Sequence, residues 1–160
     1  MIGLEAENIL YIQLEYLLRI AIACVLGTAI GHERRNRNKS AGIRTHAIVA
    51  MGSALMMIVS KYGFADVADY DASRVAAQIV SGVGFLGAGM IFVRNNLVNG
   101  LTTAAGIWAT AGIGMAIGAG LYLISIGAAV MIIIAQEITH RVSLFAHAAS
   151  GGSLRLTLVQ

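Results

Sequence analysis

From Leu101 to Ala135 the chain runs for 35 residues without a single Asp, Glu, Lys, Arg or His. As one helix this run would be about 52 Å long, far more than the ~30 Å hydrocarbon core of a bilayer, so it must fold back on itself. Gly118 and Gly120 flank its midpoint, and a tight turn between two apolar helices is expected there. The rest of the chain has the same character. Of its 160 residues 58% are hydrophobic and 12% charged, with no proline, whereas a water-soluble domain carries about a quarter charged residues and about 5% proline. The surface is therefore read as facing lipid. Apolar stretches at 9–31, 45–63, 74–93, 101–117 and 121–135 give an all-α polytopic membrane protein with five transmembrane helices. They fill residues 1–136 and leave 137–160 as a tail.

The other totals narrow the class further. Cys24 is the single cysteine, so no intrachain disulfide and no multi-cysteine metal site can form. The net charge of +3 sits in short segments between apolar runs, which points to anionic lipid headgroups and away from nucleic acid. The first nine residues hold Glu5 and Glu7 and no Lys or Arg, the reverse of a basic leader region. Arg34, Arg35, Arg37, Lys39, Arg44, Arg94, Arg141 and Arg155 fall on one side of the bilayer, against Arg19, Lys61 and Arg74 on the other. The excess places 32–44 and the C-terminus in the cytoplasm and the N-terminus outside. In the tail, Ile138, Val142, Leu144 and Phe145 oppose His140, Arg141 and His147 as a short interfacial helix would. A flexible joint at 150–153 and an alternating strand at 154–159 follow, and a lone strand implies the start of a further domain.

Helices in hydrocarbon gain nothing by hiding leucine, so small residues that let backbones approach must hold the bundle together. Gly27 and Gly31 form such a ridge with Ala23 in the first span. Gly106, Thr110, Gly114 and Gly118 form another in the fourth. Ala77, Ser81, Gly84 and Ala88, with Gly87 nearby, do so in the third. Spacing alone leaves open whether these ridges pack within one subunit or between subunits. The G-x-G-x-x-G-like spacing of Gly82, Gly84 and Gly87 is not read as a dinucleotide loop, because it lies inside an apolar helix with no strand before it.

Ionisable residues within spans are functional candidates by default. Glu15 and Arg19 stand one turn apart, Asp71 and Arg74 meet at the start of the third span, and Gln78 lies one turn deeper. Arg19, Asp71, Arg74 and Gln78 are therefore the candidate polar cluster of the outer half. The opposite face carries His32, Glu33, Arg34, Lys39, Gly42, Arg44, Thr45 and His46. This set reads as a lipid-binding basic collar or as a specific partner or anion site near Arg44 and the helix N-terminus at Thr45. A metal is disfavoured, since His32 and Glu33 are adjacent and no H-E-x-x-H is present.

The run from Gly31 to Ser53, with Glu33-Arg34, Lys39, Ala41-Gly42 and Arg44-Thr45-His46, resembles the signature loop of the MgtC/SapB membrane proteins. The run from Arg74 to Gly89, continued by Gly100-Leu-Thr-Thr-Ala-Ala, is similar to that family's second signature. The resemblance covers roughly residues 15–137. It implies a bacterial inner-membrane protein linked to adaptation to low magnesium and, in some pathogens, to virulence. For some members it also implies restraint of the F-type ATP synthase through its membrane sector. Longer members carry a cytoplasmic ACT-like domain, of which this chain holds at most the first strand. The residues themselves disfavour an enzyme, because no nucleophile, base and orienting group recur at readable spacing. A magnesium or other ion transporter is the alternative, although the cores of spans two, four and five hold none of the acids such a cation favours. The expectation is a regulatory or interaction protein without a cofactor, binding a membrane partner and forming a possible homo-oligomer.

Overall fold

The computed structural model describes residues 2–150 apart from 38, 65 and 95, with side chains of residues 7–142 other than those three and 140. Five helices and one hairpin follow in chain order: α1 (Ile2–Asn36), α2 (Ile43–Tyr62), α3 (Ser73–Ala88), β1 (Phe92–Arg94), β2 (Leu97–Asn99), α4 (Leu101–Gly118) and α5 (Tyr122–Ser150). Four helices are long and apolar enough to cross a bilayer, over 7–36, 43–62, 101–118 and 122–139. The 35-residue uncharged run breaks where its glycines stand. Gly120 adopts φ +89°, a left-handed conformation that costs glycine nothing.

Two expectations need correction. The third span ends at Ala88 rather than at Val93, so α3 has 16 residues and reaches only about 24 Å. Residues 92–99 instead form an antiparallel hairpin that pairs Phe92 with Asn99, Val93 with Val98 and Arg94 with Leu97. β-branched and aromatic residues favour the strands, and Asn96 turns the chain at φ 59°, a conformation asparagine tolerates. Gly100 then closes the link to α4 at φ +90°, where a side chain would overlap the Met90 carbonyl oxygen. The second correction concerns the tail. No separate interfacial helix starts after Glu137, because α5 continues unbroken to Ser150 through a stretch free of glycine and proline. The boundary drawn at 136 falls inside this helix. The joint beyond Ser150 and the strand at 154–159 lie outside the described residues.

The core is built from alanine and glycine more than from large side chains. Ala23, Ala50, Ala54 and Ile117 form one buried cluster between α1, α2 and α4. Ile30, Ile113 and Ala129 join α1, α4 and α5, and Ala41, Val83, Ile107 and Ala111 carry the packing toward α3. A methyl group at Gly27 would come to 2.5 Å from the His46 carbonyl oxygen, one at Gly31 to 2.6 Å from Ile43 Cα, and one at Gly118 to 2.5 Å from the Ala54 carbonyl oxygen. At Gly114 it would overlap the Ala50 carbonyl. These four glycines thus set the distances between α2 and its neighbours α1 and α4. Gly106 and Gly87 have room for ordinary contact, at 3.6 Å from His46 Nε2 and from Ala104 respectively. Gly84 departs from the expectation. Nothing lies within 4 Å of the space a methyl would take there, because α3 turns Val83 and Gly87 inward and leaves Gly84 on its outer face.

Three buried hydroxyls find partners within the bundle, as a lipid environment favours. Thr110 donates to the Gly106 carbonyl at 2.8 Å and Ser125 to that of Leu121 at 2.7 Å. Ser60, also buried, donates to the Ala72 carbonyl and accepts from the Ala76 N–H at 3.1 Å, which ties the end of α2 to the start of α3. Gly114→Ala should lower bundle stability in detergent by about 1–3 kcal/mol through overpacking against Ala50. Gly112→Ala, whose site has nothing within 4 Å, should leave it unchanged. Thermal unfolding of both variants checks this.

Candidate functional site

Two polar centres lie at opposite ends of the bundle. At the first, Arg19 is only 7% exposed and reaches across three helices. Its Nε donates to Glu15 at 3.2 Å and to the Tyr122 hydroxyl at 3.1 Å. Nη1 donates to the Tyr62 hydroxyl at 3.1 Å and to the Gly118 carbonyl at 2.9 Å, and Nη2 donates to Glu15. Its guanidinium carbon stands 5.4–5.9 Å from the ring centroids of Tyr16, Tyr62 and Tyr122, within cation–π range. Lys61 donates to the Ala119 carbonyl at 3.0 Å. Two cations therefore satisfy the last carbonyls of α4, where the helix dipole is negative.

The expected cluster of Arg19, Asp71, Arg74 and Gln78 is not assembled. None of the last three is among the partners of Arg19. Asp71 and Arg74 form an exposed pair at 3.8 Å, and the Asp71 carboxylate accepts from the Ser73 N–H at 2.9 Å and from its hydroxyl at 2.6 Å. Those donors, aided by Arg74, hold the Asp71 carboxyl below the usual carboxylate range. Gln78 is exposed on the outer face of α3. Tyrosines 16, 62 and 122 take the places assigned to these residues. The signal for Tyr62 and Tyr122 was their position at the ends of apolar runs, where an amphipathic ring can meet a polar group.

At the other end α1 continues to Asn36, so His32, Glu33 and Arg34 are helical and the loop shrinks to 37–42. Arg34 is 3% exposed. Its Nε donates to Glu33 at 3.1 Å and to the Gln136 side-chain oxygen of α5 at 2.9 Å. Arg37 pairs with Glu33 at 3.4 Å and also with Glu137, and Arg141 pairs with Glu137 at 2.8 Å. His46 is fully buried, with Nδ1 at 3.0 Å from the Gly42 carbonyl. A carbonyl only accepts, so Nδ1 carries the proton and the unpartnered Nε2 is left as an acceptor in the neutral ring. Nε2 and the Gln136 amide nitrogen face the same spot above Gly106, at 3.6 and 3.8 Å from it. The signature residues therefore divide. Glu33, Arg34, Gly42 and His46 are woven into the α1–α2–α5 junction, whereas Lys39, Arg44, Thr45 and His32 face outward. Gln136, missed from the sequence, is the residue that links Arg34 to α5. It is the first polar side chain after the long apolar run of α5, and nothing in its spacing names its partner.

Such an arrangement defines a multi-pass helical membrane protein with a backbone-packed bundle closed by a buried arginine near each end. Residues 20–145 match the MgtC family model, and the chain belongs to the MgtC family. It is 51% identical over 150 residues to the putative magnesium transporter YhiD of Escherichia coli (strain K12), covering 91% of this chain and 69% of that protein. It is 41% identical to Protein SapB of Bacillus subtilis (strain 168), covering 79% and 57%. It is 43% identical to Protein MgtC of Salmonella typhimurium (strain LT2), covering 76% and 51%. The chain thus spans from about half to just over two thirds of the length of these relatives. No solved structure matches it.

Arg19→Met should strand the Gly118 carbonyl and three tyrosine contacts and lower stability by on the order of 2 kcal/mol, because half-exposed Glu15 can rehydrate. Tyr122→Phe should cost about 1 kcal/mol or less. Reversible unfolding in mixed micelles distinguishes the two. For Asp71, a folded-state value below the unfolded one means its contribution is complete above ~pH 4 and is lost as the pH falls through the lower folded value. The stability difference between wild type and Asp71→Asn should therefore shrink below ~pH 4 and stay constant from there to neutrality, as unfolding midpoints across that range will record.

Proposed function

We propose that this chain is the membrane domain of a non-enzymatic regulatory protein of the bacterial inner membrane, which acts by docking the outer face of α3 against helices of a membrane partner. The observation that carries this reading is the contrast between the small-residue ridges. Those of α1 and α4 are consumed by packing within the chain, whereas Ala77, Ser81, Gly84 and Ala88 of α3 are all exposed. Gln78 stands beside them, about one and a half turns into the helix, with no hydrogen-bond partner among the described residues. A side-chain amide facing hydrocarbon is costly, while the same amide between helices gains a partner. A face that combines close-approach residues with an unsatisfied amide suits a transmembrane helix better than lipid.

In this reading the excess of Lys and Arg puts the Arg34 end in the cytoplasm and the Arg19 end outside. The partner implied by the family resemblance is the membrane sector of the F-type ATP synthase, in a setting of low magnesium and host infection, and a second copy of the chain is the competing occupant. The relative named as a putative magnesium transporter supports the alternative of ion movement.

Gly84→Leu and Gln78→Leu should leave unfolding unchanged, since neither site is packed, and should reduce crosslinking from a photoreactive residue at position 85 to its membrane partner by at least tenfold. Undiminished crosslinking in both variants would defeat the docking reading. Magnesium flux into liposomes well above protein-free controls, abolished by the same substitutions, would establish transport in its place.

A further inference from the structure

Between the end of α1, the start of α4 and the middle of α5 lies a cavity of about 310 Å³, bordered by Glu33, Arg34, Arg37, Lys39, Thr102 and Gln136. Its floor is Arg34, 97% buried by its 3% exposure. This side chain's hydrogen bonds to Glu33 and Gln136 both use Nε. Its two Nη groups find no acceptor among the described residues. A guanidinium held rigidly by one nitrogen, with its fork left open, is prepared for an anion. Of the nearby carboxylates, Glu33 pairs with Arg34 through Oε2 and with Arg37 at 3.4 Å through Oε1, which is buried and accepts no hydrogen bond, while Glu137 pairs with Arg37 and Arg141. Three cations, Arg34, Arg37 and Lys39, and one carboxylate, Glu33, thus line the cavity. Lys39 is exposed and separates this cavity from a second one, lined by Ser40, Asn99, Gly100 and Thr103 among others. Thr102 belongs to the first turn of α4, an 18-residue helix whose N-cap, Gly100, offers its N–H groups no side-chain acceptor. The positive end of the helix dipole therefore borders the same space.

We infer that this cavity binds a phosphate group, held by the Arg34 fork, Lys39 and the first turn of α4. A phosphomonoester carries close to the two negative charges that the lining lacks, and its several oxygens can meet donors arriving from three elements, which a planar carboxylate cannot do equally well. The chemistry is the same for a phospholipid headgroup and for free phosphate. This assignment stands apart from the α3 face and does not rest on the docking reading. It also differs from the sequence expectation of an anion site at Arg44 and Thr45, because both of those residues are exposed and neither is accompanied by a buried, unpartnered cation.

Two probes separate the sources. Purified protein in an uncharged detergent is titrated with inorganic phosphate at constant ionic strength while its unfolding midpoint is followed, and lipid retention is measured by native mass spectrometry with phosphatidic acid against phosphatidylcholine. Stabilisation by inorganic phosphate assigns a free anion, whereas retention of phosphatidic acid without a phosphate effect assigns a headgroup. In either case Lys39→Gln, an exposed residue whose loss leaves the fold intact, should weaken the response about tenfold, the value of one charge-assisted contact. Arg34→Lys should weaken it further, while Arg44→Gln, outside the cavity, should leave it unchanged. Absence of response to both probes would overturn the assignment. So would an equal loss in Arg44→Gln and Lys39→Gln, which would reduce the site to a diffuse basic collar.

Discussion

Contact between backbones across α2 is the constraint on which the rest of this molecule depends. Lipid offers apolar side chains the same environment as a protein core, so burial of leucine or isoleucine contributes little to helix association. What remains is dispersion at very short range, and Gly27, Gly31, Gly114 and Gly118 supply it by admitting the carbonyls and Cα atoms of α2 where a methyl would overlap them. With α2 so clasped between α1 and α4, the buried faces need only alanine, isoleucine and small hydroxyl residues. The large side chains, such as Leu17, Phe85, Trp108 and Leu123, turn outward. This is the inverse of a water-soluble core.

Such close packing leaves the helix ends as the chemical problem, because their last carbonyls and first N–H groups need partners within a medium that supplies few. Arg19 solves it at the turn between α4 and α5 by bonding the Gly118 carbonyl while Glu15 and Tyr62 and Tyr122 hold its remaining donors. At the opposite end Arg34 and Gln136 join α1 to α5, and His46 sits beneath them with one nitrogen committed to Gly42. Each centre draws side chains from at least two helices, so each fixes the relative register of those helices as well as its own charge. The first is internally complete. The second is not, and this difference is why an anion is assigned to one end only.

α3 stands outside this economy. It is anchored at its start by Ser60 and at its inner face by Val83 and Gly87, yet it is shorter than the other helices and presents an open stripe of small residues with Gln78. Its membership in the bundle is thus one-sided, the feature on which the docking proposal rests.

The membrane character, the number of helices, the turn at Gly118–Gly120 and the family were all legible in the sequence, because each depends on local quantities: the length of an uncharged run, the position of glycines, the order of a signature. The end of α3 was less legible, since Val93 is as apolar as a span requires and only the hairpin partner Val98 draws it into a strand. Cluster membership was not legible at all. Arg19 was singled out as an ionisable residue within a span, but its partners Tyr62 and Tyr122 lie 43 and 103 residues away, and Asp71, Arg74 and Gln78, at intermediate separations, are not among them. Likewise Gly84 and Gly114 both sit in ridges of small residues at helical spacing, yet one is open and the other approaches Ala50. Sequence alone determined which residues can be expensive or small within a helix. Tertiary structure decided which face each helix turns inward, because that rotation is settled by the fit of all neighbouring helices at once and leaves no periodic trace in any single segment.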